Sequence, residues 1–254
     1  MRLVAASFRS TLLAAAAFAA AGCSREPGHA ASPQAPGGSL GPAPAAEQEQ
    51  ALVRVVNAIP GGGAADLFAH GVVVFPSVDY MAVTTYREIP DDRTTFRLRP
   101  AGHDTAEPLA EKDDGLVGGQ HYTVVALPGG ANEPPTLEVV RDDYLPPSRG
   151  KSKLRVLNAS PDAGNVQVVM DGRLDPLVTG TQALSESEYR EVDPVAGPLE
   201  VRQQDGTRVL ARMPEAQLAA GKLYTLILFG RSAGSPGVAA VMLEDEPAPD
   251  RATS

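Results

Sequence analysis

Apolar side chains along this chain come in short runs with no sustained helical spacing. Val53/Arg54/Val55 and Leu154/Arg155/Val156 alternate in the period-two manner of a strand, which predicts that each arginine points out between buried neighbours. Short segments rich in β-branched and aromatic residues, bounded by Gly, Pro, Asp and Asn, predict strands at 52–56, 65–69, 72–75, 80–86, 95–99, 122–127 and 137–141. A second series is predicted at 154–157, 166–170, 189–192, 199–202, 209–212, 223–229 and 238–243. Residues 199–212 read as a hairpin about Asp205-Gly206, the dipeptide favoured in a two-residue type I′ turn. Only 214–220 offers a single short helical turn.

The two series are copies of one another. VRVVNAIP at 53–60 is echoed by LRVLNASP at 154–161, ADLFAHG at 65–71 by VQVVMDG at 166–172, YREIP at 86–90 by YREVD at 189–193, and HYTVVAL at 121–127 by LYTLILF at 223–229. The offsets drift only from 101 to 103 residues, so a whole domain is duplicated. Each copy spans about 95 residues, enough for one core without staples. The predicted fold is all-β: two tandem immunoglobulin-like antiparallel β-sandwich domains, at 51–146 and 152–246. Between them 144–152 (YLPPSRGKS) reads as a linker, short enough that the domains are expected to touch end to end.

The N-terminus is a processing signal to be set apart from the fold. Arg2 and Arg9 precede the apolar run 11–21, which is far shorter than the roughly twenty residues of a membrane-spanning helix. Ala20-Ala21-Gly22 then lead into Cys23, the one cysteine of the chain. This arrangement resembles the lipobox of bacterial lipoproteins, which implies a signal peptide at 1–22 and acylation of Cys23. Several acyl chains, at about 0.8 kcal/mol per buried CH₂, make a stable anchor. With Cys23 lipidated, no disulfide forms within the mature chain. Residues 23–50 are rich in Pro, Gly, Ala and Ser and read as a disordered, lipid-anchored tether, and 247–254 as a disordered tail. The expected address is the bacterial cell envelope. Ser24 after the cysteine favours the outer membrane where the cell has one, on its periplasmic or surface face.

The sequence holds 22 Lys plus Arg against 31 Asp plus Glu; without Arg2 and Arg9 the balance is 20 against 31, a net charge of −11. No basic stripe is available for phosphates, so no nucleic-acid partner is expected. Asp91-Asp92, Asp113-Asp114 and Asp142-Asp143 read as solvated corners; calcium ligation is the sharper alternative, but no D-x-[DN]-x-[DN]-G loop supports it. No histidine lies at metal-ligand spacing, and neither a metal nor a cofactor is expected. Without tryptophan, an aromatic platform for sugars is not evident.

Gly230-Arg231-Ser232-Ala233-Gly234 fits G-x-S-x-G after a predicted strand. A nucleophile elbow needs a helix after the serine and, in α/β-hydrolase order, a downstream histidine. All four histidines precede Ser232, so catalysis is not expected and this segment reads as a loop. Asn57 and Asn158 open matching turns with Pro60, Pro161 and Asp162. Such residues build rigid turns, and contact with a ligand is the alternative. Tyr86, Tyr122, Tyr189 and Tyr224 recur at matched positions, as core plugs with hydroxyls at the rim. Asn158-Ala159-Ser160 formally matches a glycosylation acceptor, which is not the default of a bacterial export route.

The duplicated pattern resembles the domain-of-unknown-function family 4397, whose members open with a strand into an [HN]-A-S-P-D-A turn, then V-D-V-Y-V-D-G, and later Y-T-V-V-A. Residues 158–163 (NASPDA) and 170–172 (MDG) keep that pattern, while 57–61 (NAIPG) and 69–71 (AHG) depart from it. The resemblance covers most of 51–246 and implies fold and surface exposure, with no reaction. The sequence therefore leaves three readings: a lipid-anchored module binding or scaffolding an envelope protein or glycan, a passive spacer, and an envelope hydrolase using Ser232. Binding is expected at loops 60–64, 161–165 and 230–237, at one end of a sandwich, with the membrane reached only through the N-terminal lipid.

Overall fold

The computed structural model describes residues 49–130, 133–171, 175–206 and 208–245; the expected signal peptide, Cys23, nearly all of the tether and the 247–254 tail lie outside them. The first copy contains β1 (Gln50–Asn57), β2 (Ala65–Ala69), β3 (Val72–Val78), β4 (Arg87–Pro90), β5 (Arg93–Pro100), β6 (Ala110–Gly115), β7 (His121–Leu127) and β8 (Thr136–Asp142). The second contains β9 (Ser152–Asn158), β10 (Val166–Met170), β11 (Val178–Thr181), β12 (Ser185–Glu186), β13 (Arg190–Val192), β14 (Val195–Gln203), β15 (Val209–Leu218), β16 (Leu223–Phe229) and β17 (Ala239–Asp245). No helix occurs among the described residues.

Each copy is a pair of sheets wired identically. The order β4-β1-β7-β8 is matched by β12-β9-β16-β17, with β13 also on β9, and β3-β2-β5-β6 by β11-β10-β14-β15. Pairing is antiparallel except between β1 and β7 and between β9 and β16, which run parallel, so one sheet of each sandwich is mixed. Inside the first sandwich Val53, Val55, Leu67, Phe75, Phe96, Leu98, Val124 and Leu137 are packed together; Leu154, Val156, Val168, Leu199, Leu218, Leu226 and Leu228 fill the second.

Several elements differ from expectation. Residues 80–86 do not form a strand: Met81 sits at φ 66° within a turn, Ala82 N donates to Asp79 O, and only Val83 bridges to Val56. Residues 214–218 extend β15 where a helical turn was expected. Pro214 is tolerated there because β15 is an edge strand and its register slips opposite Gly197–Leu199. β6 (AEKDDG) escapes a hydrophobic reading because it is a charged edge strand, and Asp113 and Asp114 lie within it instead of at a corner.

The copies do not meet end to end. Their mixed sheets pack face to face, with Val56, Val125, Leu127 and Val140 of the first against Leu157, Ile227 and Phe229 of the second. This explains why every residue of β16 is buried: alternate side chains enter its own core or the neighbouring sandwich. The void left along this seam is about 10 Å³, at the lower limit for one water.

Candidate functional site

The two outward-facing arginines are not in solvent. They do point away from their own cores, but the other sandwich covers them, and Arg54 and Arg155 are each only 4% exposed. Arg54 Nε donates to Thr123 Oγ1 of its own copy at 2.9 Å, and its Nη2 to Asp245 Oδ1 of the other at 2.7 Å. Reciprocally, Arg155 Nε donates to Thr225 Oγ1 at 2.8 Å and its Nη2 to Asp142 Oδ1 across the seam. Asp142 also accepts from Thr123 Oγ1 at 2.7 Å and Tyr86 Oη at 2.8 Å, and Asp245 from Thr225 Oγ1 at 2.6 Å and Tyr189 Oη at 2.8 Å. Each carboxylate is thus held by hydroxyls of its own copy and paired with the arginine of the other. Asp142 is no solvated corner: its side chain is fully buried, as is that of Asp245.

Burial alone would lower the guanidinium pKa of Arg54, but Asp142, Tyr86 and Asp245 outweigh it and raise the value; Asp142 and Tyr189 lead the same balance at Arg155. Burial raises the phenols of Tyr86 and Tyr189 well above their ordinary value, and each ring lies under the arginine of its own copy. The matched tyrosines therefore divide into two roles. Tyr122 and Tyr224 are core plugs whose hydroxyls accept from Val117 N and Ala219 N, both at 3.1 Å, whereas Tyr86 and Tyr189 belong to the seam.

The turn residues fix loops. Asn57 is buried, donates from Nδ2 to Val78 O at 2.8 Å and accepts from Ile59 N at 3.1 Å; Asn158 is equally buried, with Nδ2 donating to Gly164 O at 3.0 Å and Oδ1 accepting from Ser160 N at 3.3 Å. Both side chains bond backbone groups of their own copy. Pro60 and Pro161 are half-buried and Asp162 is exposed.

Asp162 holds the 230–237 loop in place. Its Oδ1 accepts from Ser232 N at 2.6 Å, its Oδ2 from Ala233 N at 2.9 Å, and Ser232 Oγ donates back to Asp162 O at 2.8 Å. The hydroxyl that resembled a nucleophile is thereby a turn clasp. Gly230, at φ +86°, lets this loop close: a Cβ there would strike Gly237 O. Of the described histidines, His70 bonds Thr94 on the first sandwich and His121 packs between Tyr86 and Tyr144 at the opposite end of the strands. Among the described residues no group of three or more His, Cys, Asp or Glu is placed to hold a metal.

Partial burial would raise the Asp162 carboxyl, but the Ser232 and Ala233 amides prevail and hold it below the usual range. Its contribution to loop order is then present above the unfolded carboxyl value of about 3.9 and is lost as pH falls through the lower folded value. The Ser232 and Ala233 amide resonances should stay at their native positions from pH 7 to about 4 and move only below. Asp162→Asn should shift both already at neutral pH; unchanged resonances in that variant would contradict the clasp.

β1, β7, β9 and β16 all run toward the same end, so the loops after them gather there. Arg231 Nη2 donates to Gly129 O at 3.1 Å, joining the last loop of the second copy to the loop after β7 in the first. Between them lies a cleft of about 280 Å³ lined by Ile59, Pro60, Pro128, Glu133, Arg231 and Pro236. Two of the three expected binding loops, 60–64 and 230–237, meet in it; 161–165 reaches it only through the Asp162–Ser232 clasp.

The chain shows remote likenesses to several solved structures. The C-terminal domain of AlgF from P. aeruginosa is 20% identical, covers 38% of this chain and 100% of its own, and gives a TM-score of 0.31. A family CBM26 module from Eubacterium rectale Amy13K, solved with maltoheptaose, is 11% identical over 79% of this chain and 98% of its own, at 0.23. A proposed cell adhesion protein from Bacteroides uniformis is 9% identical over 78% and 98%, at 0.24. No curated protein matches the sequence. The DUF4397 family, a domain of unknown function, matches residues 51–169, the whole of the first sandwich and the opening strands of the second. Through that match residues 51–169 are similar to the DUF4397 domain, and the motifs repeated in the second copy extend the same pattern along the chain.

Proposed function

We propose that this is a non-catalytic, lipid-anchored envelope protein that presents a composite binding surface built from both sandwiches. The observation that carries the reading is the Arg231–Gly129 hydrogen bond, which makes one cleft out of loops from two copies. Loops carry recognition on a rigid scaffold, and the buried seam supplies the rigidity. The direction of the chain also fits. Gln50 enters β1 at the end opposite the loops, so an anchor at Cys23 would hold the linker end toward the membrane and display the cleft away from it. The partner class is an envelope protein or glycan. The cleft is poor in the aromatic residues that dominate strong contacts, so capture is weak at each site and is reinforced by crowding at the membrane.

A photo-crosslinking residue placed at Pro60 or Ser235 in the full chain tests this in cells. One discrete adduct should form from both positions, and Arg231→Ala should reduce it. Its absence from both positions favours the passive spacer, which the same rigid seam would also serve.

A further inference from the structure

The opposite end of the molecule holds a second cleft, outside the loop site. It has a volume of about 630 Å³ and is lined by Gln120, His121, Arg141, Asp142, Asp143, Tyr144 and Leu145. Its rings are set by the seam beneath. Tyr144 and His121 lie 5.0 Å apart at 73°, and His121 and Tyr86 5.1 Å apart at 89°. The Tyr144 hydroxyl bonds that of Tyr86, which is in turn bound to buried Asp142. The half-buried Tyr144 and His121 rings are thus locked in orientation before any ligand arrives.

Around the rings stand groups of both hydrogen-bonding senses. Arg141 Nη2 donates to Gln120 Oε1 at 2.7 Å, leaving the Gln120 amide N–H groups and the rest of the guanidinium to donate. Asp143 accepts from Leu145 N at 3.1 Å and keeps further lone pairs. Burial holds the His121 imidazolium below its ordinary pKa, so at neutral pH the ring adds no charge to the cleft. Arg141 and Asp143 offset one another in charge, and Asp142 is spent on Arg155. Half-buried aromatic rings, mixed donors and acceptors, and little net charge are suited to a neutral polyol ring.

The duplication shows that these residues are not required by the seam. The seam groups Arg54, Thr123, Asp142 and Tyr86 recur as Arg155, Thr225, Asp245 and Tyr189. The cleft groups do not: the second copy has Lys222, Leu223 and Glu244 where the first has Gln120, His121 and Arg141. There Lys222 Nζ and Glu244 Oε1 pair at 2.5 Å. We infer that the His121–Tyr144 cleft of the first sandwich is a binding site for a neutral sugar ring.

The inference is independent of the loop-end reading, since the two sites lie at opposite ends and different residues serve each. The test is titration calorimetry of the full chain carrying Cys23→Ser with maltotriose, cellotriose and triacetylchitotriose, and with triglucuronate as the acidic comparison. At least one neutral trisaccharide should bind saturably. His121→Leu, which installs the side chain found at the matching position of the second copy, and Tyr144→Ala should each weaken it about tenfold, while Tyr144→Phe keeps most of it. Circular dichroism melting identifies any variant that fails to fold, and His121→Leu carries the test should Tyr144→Ala be one. Binding of none of the three neutral sugars, binding of triglucuronate alone, or affinity unchanged in folded His121→Leu would each overturn the proposal.

Discussion

Asp142→Ala is expected to cost about 3–5 kcal/mol of folding stability, because it leaves Arg155 buried at the seam without its carboxylate. For a chain of this size that lowers the melting temperature on the order of 10 °C. Arg155→Ala should cost a similar amount for the converse reason, leaving Asp142 buried with hydroxyl donors and only a 3.9 Å approach from Arg54. Replacing Arg54, Arg155, Asp142 and Asp245 together by Met and Leu should recover most of the loss, since desolvating four charges offsets much of their mutual attraction. Urea titration checks both statements: the midpoint should fall in the single variants while the slope stays near the wild-type value. A loss below about 1 kcal/mol for Asp142→Ala would mean that water reaches the seam and screens it.

Cys23→Ser is expected to abolish lipidation of the protein, and with it the stable lipid anchor. The Ala-Ala-Gly-Cys ending of a short apolar run is the motivation, and among the described residues no helix is long and apolar enough to cross a membrane. A spanning helix would need roughly twenty apolar residues, and the N-terminal run falls well short. The wild type should incorporate labelled palmitate and partition into the detergent phase of a Triton X-114 separation. The variant should do neither, accumulating uncleaved or soluble. Palmitate label on Cys23→Ser would show that another atom carries the lipid, or that the attachment is of another kind.

Much of the fold can be read from the chain because each sandwich obeys a local rule. Val53 and Val55, or Leu154 and Val156, must face their own core, and the alternation says so. Turns announce themselves by Asn, Pro and Gly. What alternation does not reveal is what lies on the other side. Arg54 between two valines gives the same pattern whether it faces water or a second sandwich, and so the seam was hidden. The contrary signal lay in HYTVVAL and LYTLILF, where alternation fails in both copies because both faces are covered. A second signal was the recurrence of one arginine, one threonine, one tyrosine and one aspartate at matched offsets, which a solvated surface does not require.

The loop-end site was legible in part. Loops at 60–64 and 230–237 do meet, but Asn57 and Asn158 turn inward to carbonyls of their own copy, since an amide side chain beside a tight turn satisfies backbone groups first. Arg231 could not be singled out, because its contact with Gly129 spans 102 residues and exists only once the seam has formed. The Tyr86–His121–Tyr144 trio was invisible because its members are 35 and 23 residues apart and meet only once β7, β8 and the segment before β4 have come together.

The account rests on the two sandwiches forming one body through the crossed Arg–Asp seam. Differential scanning calorimetry of the folded chain tests this most directly. It predicts one transition whose calorimetric and van't Hoff enthalpies agree, because neither copy can unfold without stranding the charges of the other. Two resolved transitions, or a calorimetric enthalpy near twice the van't Hoff value, would show that the copies melt independently and that the seam does not bind them together.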